Sequence, residues 1–187
     1  MKNSYLFLAT GFEEIEALAT VDILRRAQLP VTTVSVYENK EVTGAHGIVT
    51  VADTTISECD FENVDWLILP GGLPGADNLL ACRQLANMLK KHHAAGGRIA
   101  AICASPAVVL SPLGIVEGKN ATAYPGFEDK LEEGGAKATR ARVTVDGNVI
   151  TANGPASAFP FAFTIIEHTL SRDVADQVAS GLLAPQF

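Results

Sequence analysis

The chain has 187 residues, 48% of them hydrophobic and 19% charged, enough to bury a sizeable core and within the usual size of one domain. A single domain over 1–187 with no long linker is expected. Its 14 basic and 21 acidic residues give a formal net charge of −7, and neither sign gathers into a run, which argues against a nucleic-acid partner. No segment reaches membrane-spanning length without polar interruption and the first apolar run is too short for a secretory signal, so no membrane partner is expected and the cytoplasm is the expected address.

In chain order, Ser4 to Thr10 is a short apolar run closed by Gly11, and Glu13 to Ala27 carries apolar residues at helical spacing. Pro30 stops that helix, Val31 to Tyr37 reads as a strand, and Val42 to Val51, with Gly44 and Gly47 inside it, reads as a small hairpin. Trp66 to Leu69 is a buried-type strand running into Pro70-Gly71-Gly72. Asp77 to His93 reads as one helix stopped by Gly96-Gly97, and Ile99 to Ile102 as a strand ending at Cys103. Asn120 to Ala123 is a short strand candidate. Arg142 to Val145 and Val149 to Ala152 flank Asp146-Gly147-Asn148 as a hairpin, and helices are expected over Phe159 to Leu170 and Asp173 to Leu182.

Continuous apolar strands alternating with helices predict an α/β fold with a mostly parallel central sheet covered on both faces. In such sheets ligands collect at the carboxyl ends of the strands. Three stretches qualify: Gly11 to Glu16, Pro70 to Gly75, and Cys103 to Pro106.

Cys103 lies between a strand and a helix start, with Ser105 as N-cap, Pro106 at the first helical position, and alanines around it that permit a sharp turn. A thiol beside a helix N-terminus is drawn toward the thiolate. The glycines of Pro70 to Gly75 allow backbone N–H groups to approach a ligand, and no Gly-Lys-Ser/Thr follows to make a phosphate loop. Glu13, Glu14 and Glu16 open the first helix, and any two of them suit a solvated, dipole-complementing turn. Glu16 stands apart, because Ala19, Ile23 and Ala27 share its face and turn it toward the sheet. There it could stay protonated and donate to a Cys103 thiolate.

His92 and His93 read as C-terminal caps and His168 as an ordinary helical residue, which leaves His46, in the glycine-rich hairpin, as the histidine whose context admits an auxiliary site role. Cys59 and Cys82 read as packing residues. Three cysteines without a CxxC spacing support neither a disulfide framework nor a zinc site. No metal or other cofactor is expected.

With Ala100-Ala101-Ile102-Cys103-Ala104-Ser105-Pro106, Pro70-Gly71-Gly72 and Gly11 to Ala17 (GFEEIEA) in view, the chain resembles the DJ-one/ThiJ branch of the ThiJ/PfpI family over essentially its whole length. Val21 to Ala27, Leu69 to Gly75 and Gly154 to Phe159 support the resemblance. It implies a flavodoxin-like three-layer sandwich with Cys103 on a nucleophile elbow. It further implies that Glu16 hydrogen-bonds the sulfur, that the Gly72 and Ala104 amides hold an anion beside it, and that Asp22 and the first helix serve a homodimer interface. Many relatives carry a histidine where this chain has Tyr124, an auxiliary position here. Tyrosine is a poor base near neutral pH, which argues against a Cys-His protease.

The activity the resemblance implies is a glutathione-independent glyoxalase or deglycase acting on small reactive carbonyls such as methylglyoxal or their adducts. A second implied role is a redox sensor or stress-protective chaperone acting through oxidation of Cys103. A third, from an older family label, lies in thiazole phosphate biosynthesis, for which no phosphate-binding motif is present.

Overall fold

In the computed structural model, residues 1–184 are described. The elements run β1 (Asn3–Leu8), α1 (Glu14–Arg26), β2 (Val31–Ser35), β3 (Glu41–Thr43), β4 (Val49–Val51), β5 (Thr54–Thr55), β6 (Val64–Leu69), α2 (Gly75–Ala81), α3 (Arg83–Ala94) and β7 (Arg98–Ile102). They continue β8 (Asn120–Ala121), α4 (Glu128–Glu133), β9 (Lys137–Ala138), β10 (Val143–Asp146), β11 (Val149–Ala152), α5 (Ala158–Thr169) and α6 (Arg172–Gly181).

A seven-stranded sheet has the order β10-β11-β7-β6-β1-β2-β5. All its neighbours are parallel except β10 and β11, which form the antiparallel hairpin over Asp146-Gly147-Asn148. Because side chains alternate along a strand, Phe7, Leu67, Leu69, Ile99 and Ala101 point into one core with α2, α3 and the segment after Cys103. Leu6, Leu8, Trp66, Ile68, Ala100 and Ile102 point into the other, under α1, α5 and α6. Both faces are dry, which is why these strands read as continuous apolar runs. The architecture is the expected flavodoxin-like helix–sheet–helix sandwich.

Three local expectations are corrected. Asp77 to His93 is two helices, broken at Cys82, whose backbone is extended at φ −73° and ψ 97°; the break turns the chain so that Leu79 and Leu85 both reach the core. Ser105 is no N-cap: its backbone is already helical and its hydroxyl bonds elsewhere. The segment after it, Pro106–Leu110, is π-helical and fully buried. The Asn120 to Ala123 strand is confined to β8, which pairs with β9 outside the main sheet.

Candidate active site

The carboxyl ends of β1, β6 and β7 are neighbours in the sheet, so the loops after Leu8, Leu69 and Ile102 converge. These are the three stretches expected to carry the site. The loops touch through backbone: Glu13 N donates to Gly71 O at 3.0 Å and Gly75 N to Gly11 O at 3.2 Å. Such contact needs glycine. A Cβ on Gly72, at φ +86°, would fall 2.4 Å from Gly11 O.

Cys103 sits at φ +65°, a left-handed conformation that costs a non-glycine residue energy and persists where surroundings enforce it. Two bonds enforce it: Cys103 N donates to Ala152 O and Cys103 O accepts from Tyr124 N, both at 2.8 Å. The Ser105 hydroxyl donates to Pro70 O, stapling the elbow to the loop after β6. The amides of Gly72 and Ala104 lie beside the Cys103 sulfur and favour its ionised form.

Glu16 is fully buried on the inner face of α1. Its Oε2 accepts from Gly71 N at 2.7 Å, and its Oε1 has no nitrogen or oxygen partner among the described residues. Gly71 is wedged in place, since a Cβ there would lie 2.5 Å from Cys103 Cβ and 2.8 Å from Glu16 Oε2.

Burial, the largest cause, pushes the Glu16 carboxyl up to about 7, although the thiol and the Gly71 amide both favour its ionised form. Burial likewise pushes the Cys103 thiol up to about 12; the charge and hydrogen bond of Glu16 add to this, and the Gly72 and Ala104 amides oppose it. Desolvation thus opposes the pull toward the thiolate that the amides at the start of the following helical segment exert. Between these two values the pair holds one negative charge, shared between carboxyl and sulfur. A proton moved from sulfur to Glu16 leaves a thiolate facing two amides.

Glu13 and Glu14 are not solvated, being 7% and 5% exposed. Glu13 caps α1 by accepting from Glu16 N at 2.7 Å. Glu14 accepts from His46 N at 2.7 Å, and its other oxygen meets His46 Nδ1 at 2.7 Å, clamping the β3–β4 hairpin onto α1. That hairpin closes over the helix start, a long-range contact that local spacing does not carry. Gly44 leaves room for the Glu14 carboxylate. His46 thus faces Glu14 rather than the cysteine. Glu13, Glu14 and His46 have ligand atoms within 4.8 Å of one another, close enough for a metal ion, but both Glu14 oxygens are already engaged.

Tyr124 is 46% exposed and is tied to the elbow by its backbone; a Cβ on Gly154 would lie 3.2 Å from its ring. Cys59 is half-buried and its thiol is pushed up to about 11, chiefly by burial. The contacts of Gly71, Ser105 and Ala152 escaped the sequence reading, although Gly71 lies in the Pro70 to Gly75 loop and Ser105 in the Cys103 to Pro106 stretch, where the sequence reads it as an N-cap.

These features define an α/β sandwich protein with a cysteine on a strained nucleophile elbow beside a buried carboxyl group. Residues 2–168 match the model of the DJ-1/PfpI family, and the chain belongs to that family. It is 43% identical over 182 residues to protein DJ-1 homolog A of Arabidopsis thaliana, covering 97% of this chain but 46% of that protein. It is 37% identical over 155 residues to the glutathione-independent glyoxalase DJR-1.2 of Caenorhabditis elegans, covering 83% of this chain and 81% of the relative. The structure of oxidized DJ-1 from Toxoplasma gondii superposes with a TM-score of 0.93 at 38% identity over the whole of both chains. Among the described residues no helix is long and apolar enough to cross a membrane.

Proposed function

We propose that the chain is a cysteine-dependent, glutathione-independent glyoxalase acting on small 2-oxoaldehydes such as methylglyoxal and on their adducts. Cys103 is the nucleophile, Glu16 the proton carrier, and the Gly72 and Ala104 amides the oxyanion donors. One observation carries this reading: two amides converge on a sulfur beside a buried carboxyl that titrates near 7. The glyoxalase relative in Caenorhabditis elegans supports it.

In this mechanism Glu16 takes the thiol proton as the C–S bond forms, and the carbonyl electron pair becomes an alkoxide facing the amides, then protonated by Glu16. Glu16, ionised again, removes the hydrogen on the adduct carbon while the ketone oxygen takes a proton to give an enediol; the hydroxyl beside the sulfur then loses its proton to become the thioester carbonyl as Glu16 returns its proton to the neighbouring carbon. The product is a thioester of the 2-hydroxy acid, which water cleaves to free acid and thiol. One water is added overall, and no external oxidant or reductant is needed. Tyr124, with an exposed ring, serves at most to orient that water.

The test is lactate formation from methylglyoxal without glutathione. Cys103→Ser is expected to lose about a hundredfold or more in kcat/KM, and a variant as active as the wild type would refute the reading.

A second reading, oxidation sensing, is favoured by the same amides and by the unpartnered Glu16 Oε1, which suit a sulfinate. Two equivalents of peroxide would each give one oxygen to the sulfur and leave as water. A homodimer is also proposed, through α1 and the β3–β4 hairpin, where Ile15, Leu18, Ile48, Val49 and Val51 are exposed. Free thiols at Cys59, Cys82 and Cys103 suit the reducing conditions of the cytoplasm.

A further inference from the structure

A cavity of about 270 Å³ with a mixed polar and apolar lining has Thr122, Ala123, Pro125, Glu128, Arg140 and Asn153 in its walls. Its position beside the elbow follows from two hydrogen bonds. Cys103 N donates to Ala152 O, one residue before Asn153, and Cys103 O accepts from Tyr124 N, between Ala123 and Pro125. Both segments that grip the cysteine backbone therefore continue into the cavity wall within about 3.8 Å, one Cα–Cα step. The wall is firm: Thr122 is fully buried, its N donates to Thr151 Oγ1 and its hydroxyl to Ala141 O, both at 2.9 Å. The space is large enough for several waters or the tail of a small organic molecule.

Two donors in this wall have capacity to spare. The Arg140 side chain is 90% exposed and its nearest acid, Glu128 Oε1, stands 4.0 Å from Nε, looser than a direct hydrogen bond. Glu128 is restrained by its own amide and by Gly126 N, which donates to Oε2 at 2.7 Å; these bonds, with a smaller contribution from the Arg140 charge, hold it below the usual carboxylate range. The Asn153 carboxamide is fixed because its Oδ1 accepts from Ser157 Oγ at 2.7 Å, which leaves Nδ2 as the donating end.

We propose that Arg140 and Asn153 form a specificity subsite for a carboxylate on the non-reacting part of the substrate, with Glu128 tempering the attraction. The proposal rests on the glyoxalase reading for its substrate: methylglyoxal hemithioacetals of carboxylate-bearing thiols are preferred over neutral or cationic ones, the external C–S bond breaking as the Cys103 C–S bond forms and the departing thiol taking the proton that Glu16 removed from Cys103. A planar guanidinium meets a carboxylate through two parallel N–H bonds, which neither a hydroxyl nor an ammonium group can accept.

The first experiment compares kcat/KM for the methylglyoxal hemithioacetals of 3-mercaptopropionate, 2-mercaptoethanol and cysteamine at matched free methylglyoxal. The anionic adduct is expected to exceed the neutral one by about 1.5- to fivefold, the range of an exposed ion pair, with the cationic adduct slowest. Arg140→Ala is expected to remove the preference, slowing the anionic adduct more than the neutral one, and Glu128→Gln to widen it. Equal rates in the wild type, or an Arg140→Ala variant slowed equally on all three, overturn the proposal.

The second experiment needs no turnover. Mass spectrometry follows labelling of the Cys103 peptide by 3-maleimidopropionate and by N-ethylmaleimide. A rate ratio that falls in Arg140→Ala supports the subsite even if none of the adducts is a substrate, in which case only the glyoxalase reading fails. A ratio indifferent to Arg140 overturns the subsite even if turnover is brisk.

Discussion

Gly71 N donates a 2.7 Å hydrogen bond to Glu16 Oε2, and the same glycine leaves no space for a side chain between that oxygen and Cys103 Cβ. Gly71 therefore sets the spacing of carboxyl and sulfur. Gly71→Ala drives a methyl into both and is expected to destabilise the fold by about 1–3 kcal/mol. It should also separate Glu16 from Cys103, so that kcat falls in the fraction that remains folded. Chemical denaturation and active-site titration check the two effects separately.

Glu16→Gln tests the electrostatics. The folded-state value near 7 lies above the ordinary 4.5, so in that window the folded chain binds more protons than the unfolded chain. Stability contributed by Glu16 is present below about 4.5 and lost as pH rises through about 7, a total of about 3 kcal/mol. Glutamine removes this slope. The difference in unfolding free energy between wild type and variant, measured from pH 4 to 8, is expected to move in the variant's favour with rising pH. A flat difference would mean that Glu16 is not desolvated.

The elbow was legible because strands with both faces buried announce themselves: Leu8, Leu69 and Ile102 each end an apolar run at a loop of small residues. Glu16 was legible from its helical neighbours. What escaped depends on contacts distant in sequence. Burial of Glu13 and Glu14 comes from a hairpin some thirty residues on. The turn at Cys82 leaves no mark in helical spacing, and α4 has one buried apolar residue, Leu131, to announce it. The thiol's high value likewise reflects desolvation by surrounding layers that no local motif encodes.

Ser105→Ala removes the hydroxyl that holds Pro70 O and leaves a carbonyl unpaired inside the protein. The expected cost is about 1–3 kcal/mol, a drop of roughly 2–12 °C in Tm for a chain of this size. Calorimetry reads it. A variant as stable as the wild type would show that water replaces the hydroxyl.

Tyr124 has no side-chain hydrogen bond among the described residues, so Tyr124→Phe is expected to keep methylglyoxal turnover within about twofold, as for other unpartnered surface groups. Tyr124→His supplies the imidazole that the chain lacks. It is expected to raise kcat and to add an acid limb to the pH–rate profile near the ordinary histidine value of about 6.5. Steady-state profiles from pH 5 to 9 distinguish the two.

The most direct test of Cys103 and Glu16 acting together is intact-mass and peptide mass spectrometry of protein quenched during methylglyoxal turnover. A covalent adduct is expected on Cys103 in the wild type, and both adduct and lactate are expected to form more slowly in Glu16→Gln, which has no acceptor for the thiol proton or for the carbon-bound one. Lactate formed with no adduct on Cys103, or with the adduct on Cys59 or Cys82 instead, would contradict the mechanism.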